Sequence, residues 1–365
     1  MSAPDRRCSA YMEWAKLHAH ARFDLASSGM ASLQLPSLPA TLDDVALNRA
    51  AGYGYRPLIE RLAARYGVTS DQVVTATGTS MANHLALAAL LDPGDEVLVE
   101  RPTYGLLLDV ARYLGATVRR FDRRSEDEFR IDPGAVAAAM TAATRVVVVT
   151  NLHNPSGVRA PDETLRRVAE IAREGGARLL VDEVYLEACF DSAEHSATRS
   201  AVHLGDEVVA TASLTKAYGL SGLRCGWILA PPPLAHRMWR LDDLFGANAA
   251  QPAESLSVVA LDHLGEIAAA ARGRLERNRA HLARFLASRQ DLEVVWPEAG
   301  TIAFPRLRSG RVDELCRVLR ERYETSVTPG SFFEAPEHFR IGVGGDEAEV
   351  EEGLVRLGAA LDDLA

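Results

Sequence analysis

The sequence predicts an α/β protein: a mostly parallel, seven-stranded sheet between helices, followed by a smaller α+β unit. Three observations predict it. Between residues 73 and 230, short apolar runs alternate with helical patterns. Stretches such as Arg145–Thr150 are apolar on both faces, as strands covered on both sides must be. After the prolines Pro231–Pro233 the rhythm changes to long helices and isolated short strands. A length of 365 residues is a soft prior for two domains.

Residues 1–45 hold a short amphipathic stretch at Tyr11–His20, then a Ser-Ser-Gly turn and Pro36 and Pro39, and read as an arm that packs on something else. A helical pattern runs through Leu58, Leu62 and Tyr66, and Gly67 ends it. The predicted strands follow at Val73–Ala76, Glu96–Val99, Thr117–Arg120, Arg145–Thr150, Arg178–Val181, Val208–Ala212 and Trp227–Ala230. Helices are predicted between them at Ser80–Leu91, Tyr104–Leu114, Asp132–Met140 and Glu163–Glu174. Helices around 234–246 and 253–287 lead into the second region. Strands are expected there at Leu292–Val295, Thr301–Pro305, Ser326–Val327 and His338–Gly342, with helices at 312–322 and 346–363. The expected domains are an arm at 1–45 that joins the small domain, a large domain at 46–250, and an interdomain helix plus C-terminal small domain at 251–365.

Composition narrows the function. Net charge is -10, which argues against nucleic acid as a partner. The cysteines Cys8, Cys189, Cys225 and Cys316 are scattered, so neither a disulfide framework nor a metal site is expected. No charged leader precedes an apolar run, and no apolar run approaches the roughly 18 residues of a membrane span. The expected compartment is the cytoplasm. Of 40 basic residues only Lys16 and Lys216 are lysine, so chemistry needing a deprotonatable amine has two candidates.

Four segments carry chemistry. In Ser213–Arg224 (S-L-T-K-A-Y-G-L-S-G-L-R) Lys216 sits just past a buried strand, with hydroxyls before it and glycines after. A lysine in a dry site is destabilised as the ammonium, so its amine becomes available for imine formation. The glycine turn at 76–81 (A-T-G-T-S-M) opens a helix and offers free N–H groups to an anion; alone it also reads as a plain helix cap. In 181–185 (V-D-E-V-Y) Asp182 lies at a strand's carboxyl end, where open α/β sheets bind ligands; a helix N-cap is the alternative. In 151–157 (N-L-H-N-P-S-G) Asn154 offers an amide, and Asn-Pro is a turn signal by itself. His153 reads as a packing or surface residue.

Together these segments resemble the class I/II aminotransferases of pyridoxal phosphate (PLP) fold type I, the aspartate-aminotransferase-like group. The resemblance runs from about residue 22 to 360 in order and spacing. It implies pyridoxal 5′-phosphate as cofactor, carried by Lys216 as a Schiff base, with Lys216 also moving the substrate proton. It implies that Asp182 pairs with the pyridinium nitrogen, that Asn154 and Tyr185 hydrogen-bond the ring oxygen, and that Tyr104 stacks on the ring. Gly78, Thr79, Ser80, Ser213 and Arg224 would hold the phosphate. Arg340 in F-R-I-G would clamp the substrate carboxylate, and Gly29 in L-A-S-S-G-M would belong to a loop covering the substrate. It further implies a homodimer with active sites at the interface, acting on a small amino acid and a 2-oxo acid.

The chain departs from the family in places. A tyrosine is usual five residues before the glycine of the first large-domain helix, reaching the neighbouring subunit's phosphate; here Arg49 holds that spacing from Gly54, and Tyr53 lies beside the glycine. Either Arg49 or Tyr53 is expected to take that role. Ala249, Ala250 and Gln251 stand where an arginine for a second carboxylate would be, which argues against aspartate as donor. The expected activity is transamination of an L-amino acid. The alternative on the same scaffold is a lyase or cyclase, by β-elimination or capreomycidine-synthase-like ring closure.

Overall fold

A computed structural model of the chain describes residues 8–50, 52–190 and 200–364. The first seven residues of the arm lie outside that range. The arm contributes helix α1 (Ala10–Leu17) and the two-residue strand β1 (Phe23–Asp24), and helix α2 (Arg56–Tyr66) follows. Gly67 closes α2 in the left-handed conformation (φ 61°), its N–H bonding back to the carbonyls of Ala63 and Ala64.

Among the described residues the main sheet has seven strands: β2 (Val73–Thr77), β3 (Glu96–Arg101), β4 (Thr117–Asp122), β5 (Thr144–Thr150), β6 (Arg178–Asp182), β7 (Val208–Ser213) and β8 (Cys225–Leu229). Their order across the sheet is β2-β8-β7-β6-β5-β3-β4. All pairings are parallel except those of β8, which runs against both β2 and β7. Helices α3 (Gly78–Leu90), α4 (Gly105–Tyr113), α5 (Pro133–Ala139) and α6 (Asp162–Glu174) connect the first strands. Asp132 caps α5 by accepting the Gly134 N–H at 2.8 Å, with Pro133 at the first helical position, where no N–H is missed.

The valine run of β5 explains the layering. Val146 and Val148 join the core beneath α3, while Val147 and Val149 join the core beneath α6. Successive strand residues point to opposite faces, so an all-apolar strand needs cover on both. α6 supplies its cover with Leu165, Val168, Ala169, Ile171 and Ala172, at helical spacing.

The direction of β8 builds the site. Its first residues pair with the last of its neighbours: Cys225 with Thr77, Gly226 with Ser213. The carboxyl ends of β2, β5, β6 and β7 and the start of β8 thus lie at one end of the sheet. Ligands of open α/β sheets bind at such ends.

Beyond β8, helix α7 (Pro232–Asp242) leads to α8 (Gln251–Asp262) and α9 (Leu264–Ala287). The expected continuous helix over 253–287 is therefore two, broken at His263. Apolar periodicity continues across that break, which is why pattern alone missed it. The remaining elements are β9 (Leu292–Glu293), β10 (Ile302–Ala303), β11 (Arg306–Leu307), α10 (Val312–Tyr323), β12 (Thr325–Ser326), β13 (Thr328–Pro329), β14 (Phe339–Gly342) and α11 (Glu347–Asp363). The expected strand at Thr301–Pro305 shrinks to β10; of the expected strand at Ser326–Val327, Ser326 ends β12 and Val327 falls in the gap before β13. β1 pairs with β12 in parallel, and Leu25 and Met30 enter the core formed by α9, α10, α11 and β14. Among the described residues, no helix is long and apolar enough to cross a membrane.

Candidate active site

Lys216, three residues past the end of β7, opens into a cavity of about 240 Å³ at the carboxyl end of the sheet. Thr79, Ser80, Tyr104, Asn154, Asp182, Tyr185, Ser213 and Arg224 line the same cavity, so the sequence-predicted residues of four separate segments converge. Lys216 is partly buried, and burial holds its amine below the ordinary lysine range. Its Nζ donates to Ser28 Oγ at 2.9 Å. Gly29 packs against it: a Cβ at Gly29 would lie 3.4 Å from Lys216 Cδ, and Met30 N–H donates to the Lys216 carbonyl at 2.8 Å. The arm is threaded between Lys216 and β14, where Gly342 is essential: a Cβ there would fall 1.7 Å from the Ser27 carbonyl oxygen.

Asp182 ends β6 and is 3% exposed. Oδ2 accepts from Asn83 Nδ2 at 2.7 Å and Oδ1 from the Val184 N–H at 3.0 Å. Among the described residues no basic side chain forms an ion pair with it. Burial pushes its pKa up to about 6. A buried carboxylate without a cationic side chain is a site for a cationic group from outside the chain. Asn83 is in turn fixed by Thr211, whose hydroxyl donates to Asn83 Oδ1 at 2.6 Å.

The residues expected to hold a phosphate suit an anion. Gly78 opens α3 with φ 72°, and its N–H donates to the Arg224 carbonyl at 2.7 Å. The Arg224 guanidinium lies over Gly78 and makes only long contacts, 3.4 Å, to carbonyls. The buried hydroxyl of Thr79 has no hydrogen-bond partner among the described residues. A helix N-terminus, an unpaired guanidinium and an orphaned hydroxyl together suit a dianion. Gly78→Ala is expected to weaken phosphate binding by roughly tenfold or more, because the new Cβ would lie 2.3 Å from Arg224 Nη2 and displace it. Equilibrium titration of apoprotein with pyridoxal phosphate measures this; unchanged affinity would remove Gly78 and Arg224 from the cradle.

Arg340, on β14, is 1% exposed and forms no ion pair among the described residues. Its Nη1 donates to Asn154 Oδ1 at 2.9 Å, while Nε has no partner among the described residues. Asn154 is held from below: its N–H donates to Thr150 Oγ1 at 2.9 Å, and Thr150 donates from both N–H and hydroxyl to Glu100 Oε1. Glu100 pairs with buried Arg123 at 2.8 Å. His153 is buried between Ser156 Oγ and the Pro102 carbonyl, a packing position.

Arg49 and Tyr53 stand apart from this cavity. They line a separate groove of about 340 Å³ with Thr75, Trp239, Asp243 and Gln251. Arg49 pairs with Glu254 at 2.6 Å and lies over the Tyr55 ring, and Tyr53 donates to Asp243 at 3.2 Å.

Sequence reasoning missed Tyr11, Ser28, Asn83 and the Glu100–Arg123 pair. Asn83 left a signal, a lone amide on the core face of an alanine- and leucine-rich helix. Tyr11 left none, because its partner Arg340 is 329 residues away.

The family model described as aminotransferase class I and II matches residues 28–357. The chain is 30% identical to the capreomycidine synthase of Streptomyces vinaceus, covering 93% of this chain and 90% of that protein. It is also 30% identical to an arginine–pyruvate transaminase of Pseudomonas aeruginosa, over 85% and 81% of the two chains. Among solved structures, a PLP-dependent aminotransferase from Streptococcus suis matches with a TM-score of 0.91 at 26% identity, over 100% and 99% of the chains. The PLP-dependent cyclase OrfR matches with a TM-score of 0.86 at 28% identity, over 98% and 97%.

Proposed function

Since this chain belongs to the class I and II aminotransferase family, whose enzymes use pyridoxal 5′-phosphate, we propose that it moves the amino group of an L-amino acid to a 2-oxo acid, with Lys216 as its catalytic residue. The observation that carries this is the buried Arg340, with no carboxylate partner among the described residues, bonded to Asn154 and Tyr11 in the wall of the cavity that Lys216 and Asp182 line.

Bound here, the cofactor supplies an electron sink for the pair left when the Cα–H bond of the amino acid breaks. Lys216 would hold it covalently until the substrate amine takes the place of Nζ; the freed Nζ would then take the Cα proton as general base, and the burial that lowers its proton affinity keeps more of the free amine neutral. Asp182, held in place by Asn83 and the Val184 N–H, would present its charge to the ring nitrogen. Asn154 and Tyr185 would hold the ring oxygen and Tyr104 would cover the ring; all three line the cavity. Gly78, Thr79, Ser80, Ser213 and Arg224 would hold the phosphate. Arg340 takes the substrate carboxylate through paired hydrogen bonds, and the Gly29 loop closes behind it.

A homodimer is part of the proposal, with Arg49 or Tyr53 reaching the neighbouring site. The exposed Leu47, Leu244 and Phe245, and the groove that Arg49 and Tyr53 line, support such a surface.

A second reading, a cyclase or lyase, is favoured by the similarity to capreomycidine synthase across 93% of the chain. One experiment separates the two. The holoenzyme is mixed with one L-amino acid at a time, without a 2-oxo acid, and its visible spectrum is followed. An aminotransferase releases one equivalent of 2-oxo acid and stops with the cofactor in its amino form. Continuous formation of product without an acceptor, the cofactor's starting spectrum persisting, would assign the lyase or cyclase.

A further inference from the structure

Arg340 has a second partner on the arm. Its Nη2 donates to the Tyr11 hydroxyl at 3.1 Å. Tyr11 belongs to α1, an eight-residue helix with no buried residue, too short to be stable by itself. Contacts at the rim of the cavity position it. The Tyr11 ring meets Tyr104 edge-on, with centroids 5.3 Å apart, and Trp14 lies 5.2 Å from Phe332. Tyr104 also donates to Met12 Sδ at 3.4 Å. Tyr11, Met12 and Ala15 thereby form a wall of the Lys216 cavity.

A tyrosine hydroxyl can accept and donate at once. Tyr11 accepts from Arg340, and among the described residues nothing takes its proton. The guanidinium draws electron density from that oxygen, which strengthens the O–H as a donor. A carboxylate seated on Arg340 beside Lys216 is the acceptor such a proton needs.

We propose that Tyr11 is a substrate-binding residue: its hydroxyl, oriented by Arg340, donates to the carboxylate of the bound amino acid. The inference rests on Arg340 as the carboxylate site. It makes the arm part of the binding surface, so that carboxylate-bearing amines are held by α1 and simple amines are not.

The test uses holoenzyme and two amines of the same skeleton: 2-aminoisobutyrate, which has no Cα hydrogen to lose, and isopropylamine, which lacks the carboxylate and is read in the rapid first phase, before its own C–H bond breaks. Binding is read from the cofactor's absorbance. Tyr11→Phe keeps the ring contacts and removes only the hydroxyl. It is expected to raise the Kd of 2-aminoisobutyrate about tenfold, the worth of one hydrogen bond to a charged group, and to leave isopropylamine and cofactor affinity unchanged. A 2-aminoisobutyrate Kd within twofold of wild type, or equal changes for both amines, overturns the role of Tyr11. Arg340→Ala reports on the underlying assignment separately. If it binds 2-aminoisobutyrate as wild type does, the carboxylate is not on Arg340 and that assignment falls, whatever Tyr11→Phe does.

Discussion

Lys216→Ala is expected to fold normally and to lose roughly 10⁴-fold in turnover, the upper range for removal of a general base, here combined with loss of the covalent tether. The chain has no substitute. Its other lysine, Lys16, is exposed on the last turn of α1, and the groups around Lys216, namely Ser28, Tyr11, Asp182, Arg224 and Arg340, include no second amine. Stability should change little, because the amine is only partly buried and burial already disfavours its charge. Two measurements check the assignment: initial rates with and without added methylamine, which restores part of the rate if only the amine is missing, and borohydride treatment, which should fix cofactor to wild-type protein at Lys216 and to the variant not at all. A variant with half the wild-type rate would end the case for Lys216.

Asp182→Asn is expected to lower activity and to remove a pH dependence of stability. Turnover should fall by about 10²–10³, the usual cost of removing one preorganised charge from an active site. The stability effect follows from the raised pKa. Folded Asp182 titrates at about 6, against an ordinary aspartate value of about 3.9. The folded state thus prefers the protonated form. The stability linked to this group is whole below about pH 4 and is lost as pH rises through 6, up to about 3 kcal/mol in all. Asparagine cannot ionise, but its NH2 must face either the Asn83 Nδ2 or the Val184 N–H, a fixed cost that does not vary with pH. The stability of the variant apoprotein relative to wild-type apoprotein should therefore rise between pH 4 and pH 8 by up to about 3 kcal/mol. Denaturant unfolding of both apoproteins at pH 4, 6 and 8 reads that difference. A difference that stays constant from pH 4 to pH 8 would mean that the negative charge already has a sufficient partner inside the chain.

The Asn83–Asp182–Val184 contacts show where sequence legibility stopped. Asp182 was readable because a carboxylate just after an apolar strand is conspicuous. What holds it was not, because Asn83 reaches it from α3, 99 residues earlier. The same holds for Asn154, whose support runs through Thr150 and Glu100 to Arg123 on three different strands or their ends. Glu100 and Arg123 sit among residues that look like an ordinary half-polar strand end, and only their mutual burial distinguishes them.

The sequence by itself determined the alternation that makes a doubly covered sheet, the order of its strands along the chain, and the lysine, aspartate, asparagine and arginine that line the cavity. Those are local matters: apolar period, glycine turns and residue type are written in consecutive positions. The tertiary structure decided the reversal of β8 that brings Arg224 over Gly78, the break at His263, and the two-residue pairing of β1 with β12 across some three hundred residues. It also decided that an arm helix with no buried residue would place Tyr11 on Arg340. Each of these depends on contacts between segments far apart in the chain, and such contacts are selected by the burial and hydrogen bonding of the whole fold rather than by any local pattern.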